Sequence, residues 1–314
     1  EYAYHAQIHG AILAYLEIKK KNFYSIVSDV DGKRFVTARG WEDLSVVMKV
    51  YEQQGMQIDY YFVVQYLQDP EIARDFAVYY ELYRKYNQIY RVPELLEGQF
   101  PEDVLSIQNA PFDEKLSLIG LLLDTLGQEF VTYARREAAQ QKLLEQLGYL
   151  RADLKDGKGN AKELLERQSE SHKTMTAHRK KAGLLSREEL HTAHDLEAML
   201  DACIRLVAEE GSGDACADFG VVKQYFDERE EARQKQIADA GRHLSNAFDF
   251  LSRVFGEGQE LVIFLSELSA GYYSLKFVSE CGNEDYYKYN RLLLLKDRGE
   301  ELTKEVLEIL ALDD

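Results

Sequence analysis

Residues 69–90 read DPEIARDFAVYYELYRKYNQIY, and this stretch decides the fold class. Asp69 offers a carboxylate to the free amides of a first helical turn. Pro70 follows where a missing N–H costs nothing. Ile72, Phe76, Tyr79, Tyr80, Tyr83 and Tyr90 then share one broad face at helical spacing. The pattern predicts a helix from Pro70 to about Tyr90. Working toward the N-terminus, residues 59–68 (DYYFVVQYLQ) fit either a strand or a short buried helix, and their flanks favour the helix. Thr37 to Tyr51 forms another amphipathic stretch, with Trp41, Leu44, Met48 and Tyr51 on its stripe. Thr37 suits its N-cap and Gly55 its C-cap. Asp29 to Lys33 (DVDGK) reads as a turn, and residues 3–21 as a helix with Ile8, Ile12, Tyr15 and Leu16 along one side.

Toward the C-terminus the prolines run out. The chain has four, Pro70, Pro93, Pro101 and Pro111, and everything beyond lacks an obligate helix breaker. Helices are expected over 113–150, 161–181, 218–256, 258–281, 284–297 and 299–312. A further one starts at Ser186, where SREE forms a capping box ahead of the stripe Leu190, Leu196, Leu200, Cys203, Ile204 and Val207. The loops 156–160 (DGKGN) and 211–216 (GSGDAC) turn the chain back between charged helices. The expectation is an all-α chain. A small tyrosine-rich helical domain spans 1–92, a proline-bearing connector 93–111, and an elongated helical bundle with coiled-coil-like hairpins 112–314.

Composition bounds the function. The net charge of -17 argues against a nucleic-acid-binding surface over most of the chain, because phosphates need Lys and Arg. The longest apolar runs, such as Leu261–Leu265, are far short of the roughly 20 residues that span a bilayer. Cys203, Cys216 and Cys281 are scattered and odd in number, which fits a reducing, cytoplasmic setting. Cys203 falls on an apolar stripe and is expected as a buried thiol. The sequence opens on Glu1 in the middle of a helical pattern, as expected of a piece of a longer protein.

No complete catalytic site emerges from the motifs. A P-loop needs G-x-x-x-x-G-K-[ST], and Gly157-Lys158-Gly159 has neither the spacing nor the hydroxyl. Leu261–Glu267 (LVIFLSE) has Ser266 where a metal-binding Asp would stand, and is expected as a buried helix. His5 and His9 have the spacing of a zinc-binding pair on a helix, but H-E-x-x-H is absent and no third ligand can be assigned. His191 and His194 read as a surface pair. His172, Lys173, His178, Arg179, Lys180 and Lys181 form a basic cluster, expected as a solvated face or as a contact point for an acidic partner.

Residues 36–52, VTARGWEDLSVVMKVYE, and 65–90, QYLQDPEIARDFAVYYELYRKYNQIY, carry more information. They resemble the segment after the nucleotide-binding core of MoxR-type AAA+ ATPases, where a small helical lid begins with a sensor-2 arginine in an S/T-x-R motif often followed by Trp. Thr37-Ala38-Arg39-Gly40-Trp41 matches that motif. The resemblance gives Arg39 the sensor-2 role, with Arg34 a second candidate beside it. It covers about residues 1–90. Residues 260–290 also look similar to C-terminal helical regions of longer members, and 130–256 resembles nothing of this kind.

The resemblance implies a lid that senses ATP and a helical extension that docks client or partner proteins in chaperone-like assembly or remodelling. It implies ATP and Mg in the intact protein and a homo-oligomeric ring. The Walker A, Walker B, sensor-1 and arginine-finger elements are not in this sequence, and the resemblance puts them in a core ahead of residue 1. Alone, then, the chain is expected to bind no cofactor and to be inactive as an ATPase. One alternative is a free-standing helical interaction module without nucleotide binding. Another is a helical metal enzyme using His5 and His9.

Overall fold

A computed structural model of the chain describes residues 8–29 and 32–293. Asp69 is the N-cap it was expected to be. Its Oδ1 accepts from the amides of Glu71 (3.0 Å) and Ile72 (3.2 Å). The described elements are α1 (Gly10–Ile18), β1 (Ser25–Asp29), β2 (Gly32–Val36), α2 (Ala38–Gln53), α3 (Tyr60–Val63) and α4 (Pro70–Tyr90). Then come α5 (Val92–Leu96), α6 (Glu102–Leu105), α7 (Phe112–Lys155), α8 (Ala161–Lys181) and α9 (Arg187–Glu210). The last are α10 (Ala215–Phe255), α11 (Gln259–Ala270) and α12 (Tyr272–Cys281), before a helical stretch over 284–293. Among the described residues the fold is all-α apart from one two-stranded hairpin.

Local signals set most boundaries. Gly55 has φ +65°. Around it the amide of Met56 reaches Tyr51 O (2.8 Å) and that of Gly55 reaches Glu52 O (3.0 Å), a Schellman ending to α2. Ser186 and Glu189 make the reciprocal capping box at the start of α9. Two expectations change. The residues flanking the turn expected at 29–33 pair as antiparallel strands, with Ile26 opposite Phe35 and Val27 opposite Arg34. The pairing is fastened by the amide of Phe35 donating to Gln68 O (3.1 Å), and Val36 is buried. The helix expected over 258–281 breaks at Gly271, and α11 and α12 meet at 87°. The Ser274 hydroxyl folds back there and donates to Gly271 O (2.9 Å). Residues 113–150, expected as one helix or two, lie in the single helix α7. The helix expected at 299–312 lies outside the described residues.

The chain divides into two compact units. One combines the described residues up to Glu129 with those from Ala240 on, and the other is Phe130–Asp239. Residues 93–111 are therefore no connector. They fold as α5, α6 and a 3-10 turn, Ser106–Asn109, and bury Leu95, Leu96, Val104 and Ile107. Asn246 of α10 donates to Leu96 O (2.7 Å), and Phe250 lies 5.6 Å from Phe100 between ring centroids. Prolines there open short helices rather than mark a boundary. The first unit's second aromatic centre is Phe248, 5.2 Å from both Phe264 and Tyr289.

The Phe130–Asp239 unit buries a leucine-rich seam: Leu143, Leu147, Leu150, Leu164, Leu165, Leu196 and Leu200, with Cys203. Helices α8 and α9 pack together along it, and Lys173 Nζ reaches Asp201 Oδ1 (3.0 Å) across their pair. No single described helix is long and apolar enough to cross a membrane. Leu200 is fully buried, so Leu200→Ala should lower unfolding free energy in urea by about 3 kcal/mol through lost contact and a residual cavity. Leu144→Ala, at a side chain 56% exposed, should change it by no more than about 0.5 kcal/mol.

Candidate functional site

The turn into α2 assigns a physical task to each residue of Thr37–Trp41. The Thr37 hydroxyl accepts from the amide of Gly40 (3.2 Å) and caps the helix. Gly40 is small because a Cβ there would lie 2.7 Å from the backbone oxygen of Tyr66. Trp41 points inward, 2% exposed, and its indole N–H donates to Asn22 O (3.2 Å). Arg39 points outward. Its side chain is 74% exposed, with Nε 3.1 Å from Asp43 and Nη1 3.7 Å from Glu42. Exposed pairs of this kind contribute little to stability, so fold maintenance does not account for the arginine. Arg34, on β2, is directed to Glu71 (3.6 Å). The two candidate arginines engage different acids.

A second site was not anticipated from sequence. Residues of α2, α4 and α7, with His9 and the Gly55–Met56 turn, line a cleft of about 370 Å³. His9 is the N-cap of α1. Its Nδ1 accepts from the amide of Ala11 (3.1 Å), which places the ring proton on Nε2, 2.9 Å from Glu52 Oε2. Tyr80 donates to the other oxygen of Glu52 (2.6 Å). Burial works to raise the Glu52 pKa. The hydrogen bonds from His9 and Tyr80, with the charge of Arg84, prevail and hold it below the usual carboxylate range. Across the cleft, burial pushes Asp124 of α7 upward, against the opposing influence of His9 and Lys49. Gln128 Nε2 donates to Asp124 Oδ2 (3.1 Å). Tyr83 is 4% exposed, and its hydroxyl has no hydrogen-bond partner among the described residues. A Cβ on Gly10 would lie 2.8 Å from both the Tyr83 oxygen and Asp124 Cβ, so α1 approaches these side chains closely.

His9 is thus engaged within the protein on both sides of its ring, and His5 lies outside the described residues. The one available sequence signal was a histidine just before the glycine that opens α1, a capping position. The other residues come from segments far apart in the chain, and no linear motif joins them. His191 and His194 are exposed on α9. In the basic cluster, Lys173 and Arg179 pair with Asp201 and Glu189 of α9, so part of that charge serves the α8–α9 pair. Cys203 is fully buried, and burial pushes its thiol up to about 12. Gly157–Gly159 is a polar turn between α7 and α8, and Leu261–Glu267 lies within the part-buried helix α11. No family model, curated protein or solved structure matches the chain.

Gly40→Ala tests the turn. Alanine ordinarily favours a helix over glycine by about 1 kcal/mol, yet the clash with Tyr66 O should make this variant less stable by about 1–3 kcal/mol in urea unfolding. The cleft carboxylates have opposite pH signatures. Glu52, with its folded pKa lowered, stabilises the fold above its unfolded value, and that contribution is lost as pH falls through the lower folded value. Asp124, with its folded pKa raised, contributes stability that is present below its unfolded value and lost as pH rises through the folded one. Thermal unfolding at neutral pH should therefore show Glu52→Gln lowering Tm and Asp124→Asn leaving it unchanged or raised.

Proposed function

We propose that this chain is the lid and helical extension of a MoxR-type AAA+ ATPase, with Arg39 as its sensor-2 residue. The observation that carries the reading is the division of labour at Thr37–Trp41. Trp41 is fixed in the core, Thr37 and Gly40 fix the turn, and Arg39 is left on the surface at the first turn of α2. A guanidinium presented this way can make charge-assisted hydrogen bonds to the terminal phosphate of ATP bound in an adjoining core. Asp43 and Glu42 hold it near that position until phosphate competes for it. Lid placement would then follow the nucleotide state. Arg34, turned toward Glu71, is the weaker candidate.

In this reading the intact protein binds ATP and Mg through a core ahead of residue 1, assembles as a ring, and uses the helical extension to dock client or partner proteins. The exposed carboxylates and lysines of α8 to α10 make that surface polar, which suits reversible docking. A cytoplasmic setting belongs to the same proposal. The free-standing interaction module remains the competing reading, and the presence of a P-loop encoded ahead of residue 1 separates the two.

The purified 314-residue chain should show no ATP turnover, and measurable turnover refutes the reading. In the intact protein, Arg39→Ala should lower ATP turnover by about 10- to 1000-fold, the range for loss of one charge-stabilising group at a phosphoryl-transfer site. Circular dichroism should show the helices intact. Unchanged kinetics would count against the sensor-2 role.

A further inference from the structure

The cleft beneath α1 has a chemistry that the lid reading does not use. Its volume, about 370 Å³, falls in the range of small-molecule sites. Three aromatic rings stand together in it: His9 lies 6.0 Å from Tyr80 and 6.4 Å from Tyr83 between centroids, edge to face. Glu52 is satisfied at both oxygens by His9 and Tyr80. Asp124 is not. Among the described residues it accepts a single hydrogen bond, from Gln128. Beside it the Tyr83 hydroxyl is buried and without a partner. A buried polar group left unpaired costs about 1–3 kcal/mol, so the pair of groups is poised for something that donates hydrogen bonds.

We propose that this cleft binds a small primary ammonium compound. An ammonium group carries three donors and no acceptor, which matches the open carboxylate oxygen of Asp124 and the lone pairs of the Tyr83 hydroxyl. The tyrosine and imidazole rings supply π faces that attract a desolvated cation. Binding also brings a cation next to Asp124, whose carboxylate burial makes reluctant to ionise. An anion entering here meets the part-buried carboxylate of Asp124, while the guanidinium of Arg84 lies at the exposed rim beside Glu52. A bare divalent metal is a poorer fit, because the described residues place no group of three or more metal-binding side chains together. The alkyl part of the ligand has Leu121 and Met56 to pack on.

The test uses the full 314-residue chain and two probes of one shape, n-butylammonium chloride and n-butanol, titrated at neutral pH and constant ionic strength with binding read by ligand-observed NMR. Butylammonium should bind saturably and at least about tenfold tighter than butanol, a difference of about 1.4 kcal/mol. Asp124→Asn should weaken butylammonium at least tenfold while leaving butanol unchanged, and Tyr83→Phe should weaken it severalfold. Arg39→Ala should bind as the unaltered chain does, which keeps this outcome separate from the sensor-2 reading. Equal affinity for the two probes overturns the proposal, as does full butylammonium binding by folded Asp124→Asn. The comparison of probes needs no variant, so it decides the matter even if Asp124→Asn fails to fold.

Discussion

The first unit depends on Trp41 and the rings around it. Phe76 lies 5.2 Å away nearly perpendicular, and Tyr15 5.7 Å away. Tyr15 in turn packs edge-on to Phe76 at 5.2 Å. These three side chains come from α2, α4 and α1, so their contact joins three helices at one point. Edge-to-face pairs add about 0.5–1.5 kcal/mol beyond area burial. The polar ends are satisfied as well. The indole N–H reaches Asn22 O, and the Tyr15 hydroxyl donates to Asp75 Oδ2 (2.7 Å) while accepting from Asn22 (2.7 Å). Lys19 closes the network on Asp75. Removing any ring would leave a cavity, and removing Trp41 or Tyr15 would leave polar partners unsatisfied as well.

This arrangement explains the abundance of tyrosine. A phenylalanine core would bury the same area without polar ends. Tyr15, Tyr79, Tyr80 and Tyr90 instead end on Asp75, Ser117, Glu52 and Glu114. Each ring packs on one side and ties a neighbouring helix on the other, which fixes helix register in a way that non-directional burial does not. Tyr83 departs from the pattern, with its hydroxyl buried beside the cleft and unpartnered among the described residues. The aromatic centre also fixes the turn before α2. With Trp41 locked inward, the helix phase sends Arg39 outward and brings Gly40 against the Tyr66 carbonyl.

Much of the local structure was legible because its causes are local. Asp69 with Pro70, Thr37, Gly55 and the Ser186–Glu189 box act through backbone groups within a few residues. The stripes of α2, α4 and α9 arise from helical spacing alone. The hairpin was missed because residues 25–36 alternate weakly and are held by Gln68, which is remote in sequence. The break at Gly271 was missed because a glycine inside an apolar run signals nothing until Ser274 folds back on it. Residues 93–111 misled because proline density marks both linkers and helix starts, and the burial of Leu95 and Leu96, with the Asn246 bond to Leu96 O, decides between them.

The sequence by itself determined the helical class, most helix ends and the apolar stripe that holds Trp41. Each of these follows from short-range hydrogen bonding or from the 3.6-residue period. Only the tertiary structure decided the two compact units and the cleft. The His9, Glu52, Tyr83 and Asp124 side chains lie on four separate segments, and their chemistry depends on burial and on one another. Charge, pKa and hydrogen-bond satisfaction at such a site are properties of a three-dimensional neighbourhood, which no spacing along the chain encodes.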